Sequence, residues 1–248
     1  MKPVVLITGG TRRVGLAIAR AFARAGCDLV LTFNTSADDA CSAERELTTA
    51  GAGVKLERLD FDDLSAVDSL GTRLGRELPR LDVLVHNASV YGPTPTRDLT
   101  AEALLRFYRV NAAAPLLLSK HLAPRLAASP LPGGGAIVAM ADMHALGRPR
   151  RDFAAYSMSK AALVEMVRTL SRDLAPRVRV NAVAPGVVAF PERGYESDPA
   201  AQAAYVARVP LGRSGTPEDA AEVVRWLALD AHYVTGEVLR VDGGRWLA

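Results

Sequence analysis

Short apolar segments alternate with amphipathic stretches along the whole chain, and this alternation limits its fold more than any other feature. The first segment ends in a glycine turn, and residues 14–25 have the pattern of a helix that Gly26 closes. The apolar segments are continuous, which is typical of strands covered on both faces. They predict an α/β fold with one doubly wound parallel sheet of about seven strands and helices on both faces. The predicted strands are 4–8, 29–33, 54–59, 83–85, 136–140, 178–183 and 238–241.

The composition fits one domain over residues 1–248. With 49% hydrophobic and 23% charged residues, the chain can bury one large core, and no Pro/Gly/Ser linker divides it. No charged and then apolar leader follows Met1, and no apolar stretch approaches the ~18 residues that a membrane span needs. We therefore expect a cytoplasmic protein without a membrane partner.

The titratable residues exclude two further classes. Cys27, Cys41 and four scattered histidines lack the spacing of metal ligands or of a disulfide framework, so no metal is expected. The formal charge of +3 comes from arginines that form no basic block and have no aromatic stacking set beside them. We therefore expect a small-molecule substrate and no nucleic-acid partner.

The segment Thr-Gly-Gly-Thr-Arg-Arg-Val-Gly follows the first strand and opens the first helix. The free amides of a helix N-terminus at this place suit the pyrophosphate of a dinucleotide. The alternative is a structural turn between strand and helix. The candidate cofactor-binding residues here are Gly9, Arg12, Arg13, Val14 and Gly15.

The end of the second strand has no acidic residue that would meet a free ribose 2′-hydroxyl. Asn34, Thr35 and Ser36 follow it instead, and with Arg12 or Arg13 they could bind a 2′-phosphate through charge-assisted hydrogen bonds. This favours NADP(H) as the cofactor. The alternative is a polar loop in which Ser36 caps the next helix.

Tyr156 and Lys160 are spaced i, i+4, which places both side chains on one helix face. An ammonium near a phenol favours the phenolate, so the pair could transfer protons if it faces a cleft. A solvated helix face is the alternative for this spacing alone.

In their order along the chain, these motifs resemble the short-chain dehydrogenase/reductase family over essentially the full length. The matching positions are the turn at 8–15, Asp60, Asn87-Ala88, Val110-Asn111, Tyr156 with Lys160, Pro185-Gly186, and Asp242-Gly243-Gly244. The resemblance implies one Rossmann-type domain that binds NADP(H). It also implies a homotetramer in which helices around 101–126 and 152–174 pack between subunits.

The resemblance further implies roles for individual residues. Tyr156 would be the general acid, Lys160 would hold the nicotinamide ribose and lower the pKa of Tyr156, and Asn111 would support a water-mediated proton relay to Lys160 through its backbone. Asp60 would contact the adenine. The other cofactor contacts would come from Phe61, Asn87, Ala88, Ser89, Pro185, Gly186 and Val188.

Two departures from the family pattern concern the substrate. Met143 occupies the position 13 before Tyr156 where the family usually has serine, and the nearest candidate is Asp142, one residue earlier. Arg13 stands in place of the middle glycine of the turn. Both departures, and Tyr91 before Pro-Thr-Pro, are similar to the pteridine reductase and dihydropterin reductase subgroup. In that subgroup, Arg13, Tyr91, Asp142 and Tyr156 would bind the substrate.

The sequence therefore predicts reduction of a dihydropterin or folate by NADPH, with Asp142, Tyr156, Lys160 and Asn111 as the catalytic set. One alternative is an NADPH-dependent reductase of carbonyl compounds, such as 3-oxoacyl thioesters, sugars or small ketones. Another is a non-catalytic NADP(H)-binding module, and Asp142 by itself could merely cap a turn. The arginines at 148, 150 and 151 could meet an anionic group or form a solvated loop, and 190–213 would cover the substrate.

Overall fold

The computed structural model describes residues 2–192 and 194–248 and places seven parallel strands in one sheet. The sheet order is β3-β2-β1-β4-β5-β6-β7, so the predicted doubly wound parallel sheet is confirmed. Four strands extend beyond their predicted bounds: β2 and β5 begin one residue earlier, and β4 and β6 end later, at His86 and Pro185. The strands are β1 Val4–Ile7, β2 Asp28–Phe33, β3 Val54–Arg58, β4 Val83–His86, β5 Gly135–Met140, β6 Val178–Pro185 and β7 Val238–Val241.

Eight α-helices lie among the described residues, with a π-helical turn at Arg109–Ala113 between the fourth and fifth. Short 3₁₀ turns follow β5 at Met143–Leu146 and β6 at Tyr195–Ser197. The helices are α1 Arg13–Arg24, α2 Ala37–Thr49, α3 Leu64–Glu77, α4 Ala101–Tyr108, α5 Ala114–Ala127, α6 Ala154–Asp173, α7 Pro199–Val206 and α8 Pro217–Leu229.

The five inner strands are buried on both faces, as their continuous apolar pattern predicts, whereas the edge strands β3 and β7 are partly exposed. Val5 and Ile7 of β1 pack into one core with α1 and α8, while Leu6 points into a second core with α3, α5 and α6. Alternate residues of one strand thus stabilise opposite sides of the sheet.

The strand order reverses at β1, which has β2 on one side and β4 on the other. In open α/β sheets, ligands bind outside the carboxyl ends of the strands at such a switch point. The loops after β1, β2, β4, β5 and β6 all emerge at this edge. None of the helices within residues 2–192 and 194–248 is long and apolar enough to cross a membrane.

Candidate active site

The glycine turn after β1 is closely packed. Gly9 has φ 61°, in the left-handed region that glycine tolerates. A Cβ added to Gly15 would lie 2.0 Å from the Gly9 carbonyl oxygen and 2.7 Å from Asn87 Nδ2. Only a residue without a side chain fits at Gly15, because real Cβ contacts are never this short. The turn therefore brings backbone close to the N-terminus of α1, as a phosphate cradle requires.

The end of β4 braces this turn. Asn87 Nδ2 donates to the carbonyl oxygens of Thr8 and Gly9, both at 3.0 Å. The Thr8 hydroxyl accepts from the backbone amides of Asn87 and Ala88 at 2.8 and 2.9 Å. Asn87 and Ala88, predicted to contact the cofactor, thus also fix the glycine turn.

Arg13 connects the turn to the loop after β6. Its φ is 48°, a left-handed conformation that would suit the glycine usual at this position. The guanidinium donates to the backbone carbonyls of Ala189 and Phe190 at 3.1 and 2.9 Å. These two bonds were not predicted, and they tie the first turn to the segment expected to cover the substrate.

A basic cluster lies where the 2′-phosphate was predicted. Ser36 precedes α2 but makes no capping bond, and its hydroxyl instead accepts from Arg12 at 3.1 Å. Arg12 also pairs with Asp39 at 3.2 Å. Arg58, at the end of β3, donates to the Asn34 carbonyl at 3.1 Å. The sequence analysis missed Arg58, since only the pairing of β2 with β3 brings it to this loop.

The remaining predicted cofactor contacts lie along the same edge of the sheet. Asp60 follows β3 and Phe61 is buried beside it. Ser89 follows β4 and donates to Asn111 Oδ1 at 3.0 Å. Thr35 and Val14 flank the basic cluster and the glycine turn. Pro185 ends β6, and Gly186 and Val188 follow it. An added Cβ on Gly186 would come within 2.9 Å of the Tyr205 hydroxyl.

Asp142 and Tyr156 meet at the end of β5. The Tyr156 hydroxyl donates to Asp142 Oδ2 at 2.8 Å, and Asp142 Oδ1 accepts from the backbone amide of His144 at 2.7 Å. Asp142 therefore does cap a turn, but its second oxygen is directed at the tyrosine. Met143, at the usual serine position, is buried at the start of the 3₁₀ turn. That turn accommodates the extra residue of the loop.

Lys160 is not among the main influences on the pKa of Tyr156, and its predicted lowering of that pKa stays a prediction. Burial is the main cause that raises the pKa of Tyr156 well above its usual value, and the charge of Asp142 and its hydrogen bond add to the increase. Lys160 Nζ lies 6.0 Å from the ring centroid and donates to the Met140 carbonyl at 2.8 Å. In this arrangement Tyr156 is a phenol, which is the form of a general acid.

Lys160 is itself perturbed. It is buried, and desolvation lowers its pKa to about 8, against a smaller opposite effect of Asp142. A buried ammonium whose charge is opposed by a single carboxylate and a backbone carbonyl is costly, and such groups cluster at functional sites. This environment excludes the solvated helix face as the setting of the Tyr156 and Lys160 pair.

Lys160→Met should stabilise the fold. The pKa of Lys160 is about 8 in the folded protein and 10.5 in the unfolded chain. Between these two pH values the unfolded chain holds more protons, so the free energy of unfolding rises with pH. Below this window the charged lysine costs stability, and we expect the variant to gain on the order of 2 kcal/mol near neutral pH. The gain should shrink toward the upper end of the window. Urea unfolding across the window measures it, with Lys120→Met, at an exposed position, as the control.

Wild-type protein that is more stable than Lys160→Met near neutral pH would contradict this prediction. A constant difference at every pH would contradict it as well, because the effect must follow the protonation of Lys160.

Asn111 lies in the π-helical turn between α4 and α5. Such turns are frequent at functional sites because they displace one residue from the regular helix. Asn111 Nδ2 donates to the Val90 carbonyl at 3.0 Å and to the Ser159 hydroxyl at 2.9 Å, while its Oδ1 accepts from the Val90 amide at 2.9 Å. Its side chain thus links the loop after β4 to α6, next to Lys160. This leaves its predicted backbone role in a proton relay as a prediction.

Aromatic rings enclose the tyrosine. Tyr91, Phe107 and Phe153 lie edge-on to Tyr156, with ring centroids 5.0, 6.2 and 6.1 Å away. Tyr156 is only 5% exposed as a result. Tyr156 is therefore surrounded mainly by aromatic rings, with Asp142 as the hydrogen-bond partner of its hydroxyl.

A charged cluster covers these rings, and sequence reasoning missed its pairing. The Arg150 guanidinium lies 3.9 Å from the Phe153 ring centroid and donates to Glu196 Oε1 at 2.5 Å. Glu196 Oε2 accepts from the Tyr91 hydroxyl at 2.6 Å. Arg148 is also bonded, to the carbonyls of Arg245 and Ala248. Of the three predicted loop arginines, only Arg151 is solvated, with its side chain 95% exposed.

Comparison with known proteins agrees with this geometry. The family model described as Enoyl-(Acyl carrier protein) reductase matches residues 9–245. The chain is 36% identical to 2-(S)-hydroxypropyl-CoM dehydrogenase 3 of Xanthobacter autotrophicus over 97% of its length and 95% of that protein. It is 31% identical to galactitol 2-dehydrogenase of Agrobacterium fabrum, over 99% and 98%.

A solved structure has the same fold. A short chain dehydrogenase from Burkholderia cenocepacia in complex with NADP superposes with a TM-score of 0.87, at 30% identity over 98% of this chain and 97% of that one. The order of motifs, the seven-stranded sheet, the site at its carboxyl edge and these likenesses agree. The chain belongs to the short-chain dehydrogenase/reductase family.

Proposed function

We propose that the protein is an NADPH-dependent reductase of a ketone, in which Tyr156 and Asp142 handle the proton. The observation that carries this proposal is the 2.8 Å hydrogen bond from the Tyr156 phenol to Asp142, beside the buried Lys160 at the carboxyl edge of the sheet. A non-catalytic module would not need to hold a phenol, a carboxyl and a buried ammonium together, because each costs stability.

The residues present fit a phosphorylated dinucleotide. Helix α1 has no side-chain cap and no acidic residue in its first turn, which leaves its amides free for a pyrophosphate. Arg12, Ser36 and Arg58 lie where the ribose would end, and a 2′-phosphate could take over Arg12 from its exposed pair with Asp39. The bound NADP of the Burkholderia relative supports the same choice. When bound, the cofactor supplies the hydride.

The protein's own residues supply the proton. Tyr156 is held as a phenol and donates its proton to the carbonyl oxygen as that oxygen gains negative charge. To do so, the Tyr156 O–H turns from Asp142 Oδ2 to the carbonyl oxygen. The phenolate that is left regains a proton from water, either directly or through Asp142, which takes the proton from water and passes it along the same hydrogen bond. Lys160 brings positive charge to the site, and the aromatic rings around Tyr156 exclude water. Asn111 holds the loop and helix that frame this arrangement.

A dihydropterin substrate, which the sequence favoured, has weaker support. The relatives named above are a galactitol dehydrogenase and a hydroxypropyl-CoM dehydrogenase, both enzymes of alcohols. Arg13, expected to meet the substrate, has its guanidinium bonded to the carbonyls of Ala189 and Phe190. We therefore favour the carbonyl substrate.

The proposal is tested by NADPH oxidation with a panel of an aryl ketone, an acetoacetyl thioester, a keto sugar and dihydrobiopterin, each repeated with NADH. We expect turnover of at least one ketone, a preference for NADPH, and no turnover of dihydrobiopterin. Turnover of dihydrobiopterin alone would restore the pterin hypothesis. Tight NADPH binding without turnover of any compound in a wider ketone panel would favour the non-catalytic module.

We also propose a homotetramer in which α4, α5 and α6 form subunit contacts. These helices carry exposed apolar side chains that a lone chain would leave in water: Leu105, Tyr108, Leu116 and Met158. Sedimentation equilibrium should give the mass of four chains, and the mass of one chain would contradict the proposal.

A further inference from the structure

Glu196 behaves as a built-in ligand of the cluster above Tyr156. Its two carboxylate oxygens accept separate bonds, one from Arg150 at 2.5 Å and one from the Tyr91 hydroxyl at 2.6 Å. Arg150 also donates to the Tyr91 hydroxyl at 2.5 Å, which closes a three-membered ring of hydrogen bonds. Arg150 and Tyr91 thus present two donors to one carboxylate.

This pairing is largely shielded from water. The side chains of Arg150 and Glu196 are 24% and 21% exposed, and the guanidinium stacks on Phe153. A charged group in such a place is stable only while it has a partner of opposite charge. A neutral molecule that displaced Glu196 would leave Arg150 unpaired, whereas an anion would replace the lost partner.

Glu196 is also the member of the cluster most easily displaced. It lies in the 3₁₀ turn Tyr195–Ser197, and neither this turn nor α7 after it contains a buried residue. Arg150 and Tyr91 come from the loops after β5 and β4, and Tyr91 is packed against Phe153 and Tyr156. Segments with few buried contacts open at low free energy. Tyr156 is buried and must become accessible for any substrate to react, and among the residues of this cluster Glu196 lies in the segment that holds no buried residue.

We propose that Arg150 and Tyr91 form a subsite for a carboxylate of the substrate, which takes the place of Glu196. This rests on the proposed ketone reduction and names its substrate class: oxo acids in which a flat or apolar body separates the ketone from the carboxylate. The body would pack on the rings of Tyr91 and Phe153, with the ketone directed to Tyr156 and the carboxylate on the far side of Tyr91. Glu196 occupies the subsite until such an acid arrives.

Binding of benzoate tests the subsite without turnover, with benzamide as the neutral control. Calorimetry should give tighter benzoate binding by Glu196→Gln than by wild type, about tenfold, because the competing carboxylate is gone. Arg150→Met should weaken benzoate binding about 10²-fold. Arg151→Met removes an equal charge from the same loop at an exposed position and should change nothing.

Turnover then tests the orientation. We expect 4-acetylbenzoate to be reduced with a lower KM than its methyl ester, and Arg150→Met to remove this preference while Arg151→Met keeps it. The subsite would be overturned if Arg150→Met changed KM equally for the acid and the ester and Glu196→Gln left benzoate affinity unchanged. The pairing of Arg150 with Glu196 would then be only a contact between loops. If no ketone were reduced, the proposed function would fail, and the benzoate measurement would still decide the subsite.

Discussion

Tyr156→Phe should lower kcat for ketone reduction about 10³-fold, because it removes the hydroxyl that we propose as the proton donor to the substrate oxygen. Without a proton donor, hydride transfer would leave an unprotonated alkoxide, and the activation free energy would rise. NADPH affinity should stay within a few-fold of wild type, since the ring and its packing remain. Thermal unfolding should shift only slightly, because the loss is one hydrogen bond of about 1 kcal/mol to Asp142.

The matched control is Tyr233→Phe. Tyr233 is fully exposed, and loss of its hydroxyl should leave kcat unchanged. Full activity of Tyr156→Phe would show that another group donates the proton. Loss of activity together with loss of folding would be resolved by NADPH titration, which reports whether the cofactor site is intact.

Gly15→Ala should destabilise the protein and weaken NADPH binding strongly. An alanine inside a helix is normally favourable by up to about 1 kcal/mol over glycine. Here the added Cβ would lie 2.0 Å from the Gly9 carbonyl oxygen, which is backbone and cannot rotate away. The clash forces the turn apart and breaks its bonds to Asn87, a cost of about 3 kcal/mol that exceeds the helix preference. Calorimetric unfolding and NADPH titration measure the two effects.

Gly92→Ala serves as the control for Gly15→Ala. An added Cβ there meets no atom within 4 Å, and its φ lies outside the left-handed region. We expect a change in unfolding free energy within about 0.5 kcal/mol. Equal stability of the two variants would mean that the turn is not the rigid cradle described above.

The fold and the first half of the site follow from local patterns. Continuous apolar runs marked the central strands because strands buried on both faces admit few polar residues, whereas the edge strands β3 and β7 carry charged residues. The glycine turn and the Tyr156 and Lys160 spacing lie within single connected segments, so sequence alone places them correctly. Ser36 shows the limit of this reasoning: it precedes α2 as predicted, but its hydroxyl bonds Arg12 instead of capping the helix.

The second half depends on contacts between distant segments. Whether Asp142 faced Tyr156 turned on one extra residue, which the 3₁₀ turn at Met143–Leu146 accommodates and which no pattern reveals. The i, i+4 spacing places Lys160 near Tyr156 but gives no sign of Asp142, which raises the pKa of Tyr156 from another element. The pairing of Arg150 with Glu196 joins residues 46 apart.

The central claim is that Asp142 is the polar hydrogen-bond partner of Tyr156 during ketone reduction. The kcat/KM for ketone reduction with NADPH by wild type, Asp142→Ser and Asp142→Ala tests it most directly. We expect the serine variant, which keeps a hydroxyl beside the phenol, to retain activity within about tenfold, and the alanine variant to lose about 10²-fold. Wild-type activity in Asp142→Ala would contradict the claim. It would also be contradicted if the wild type reduced dihydrobiopterin and no ketone, and both substitutions abolished that activity.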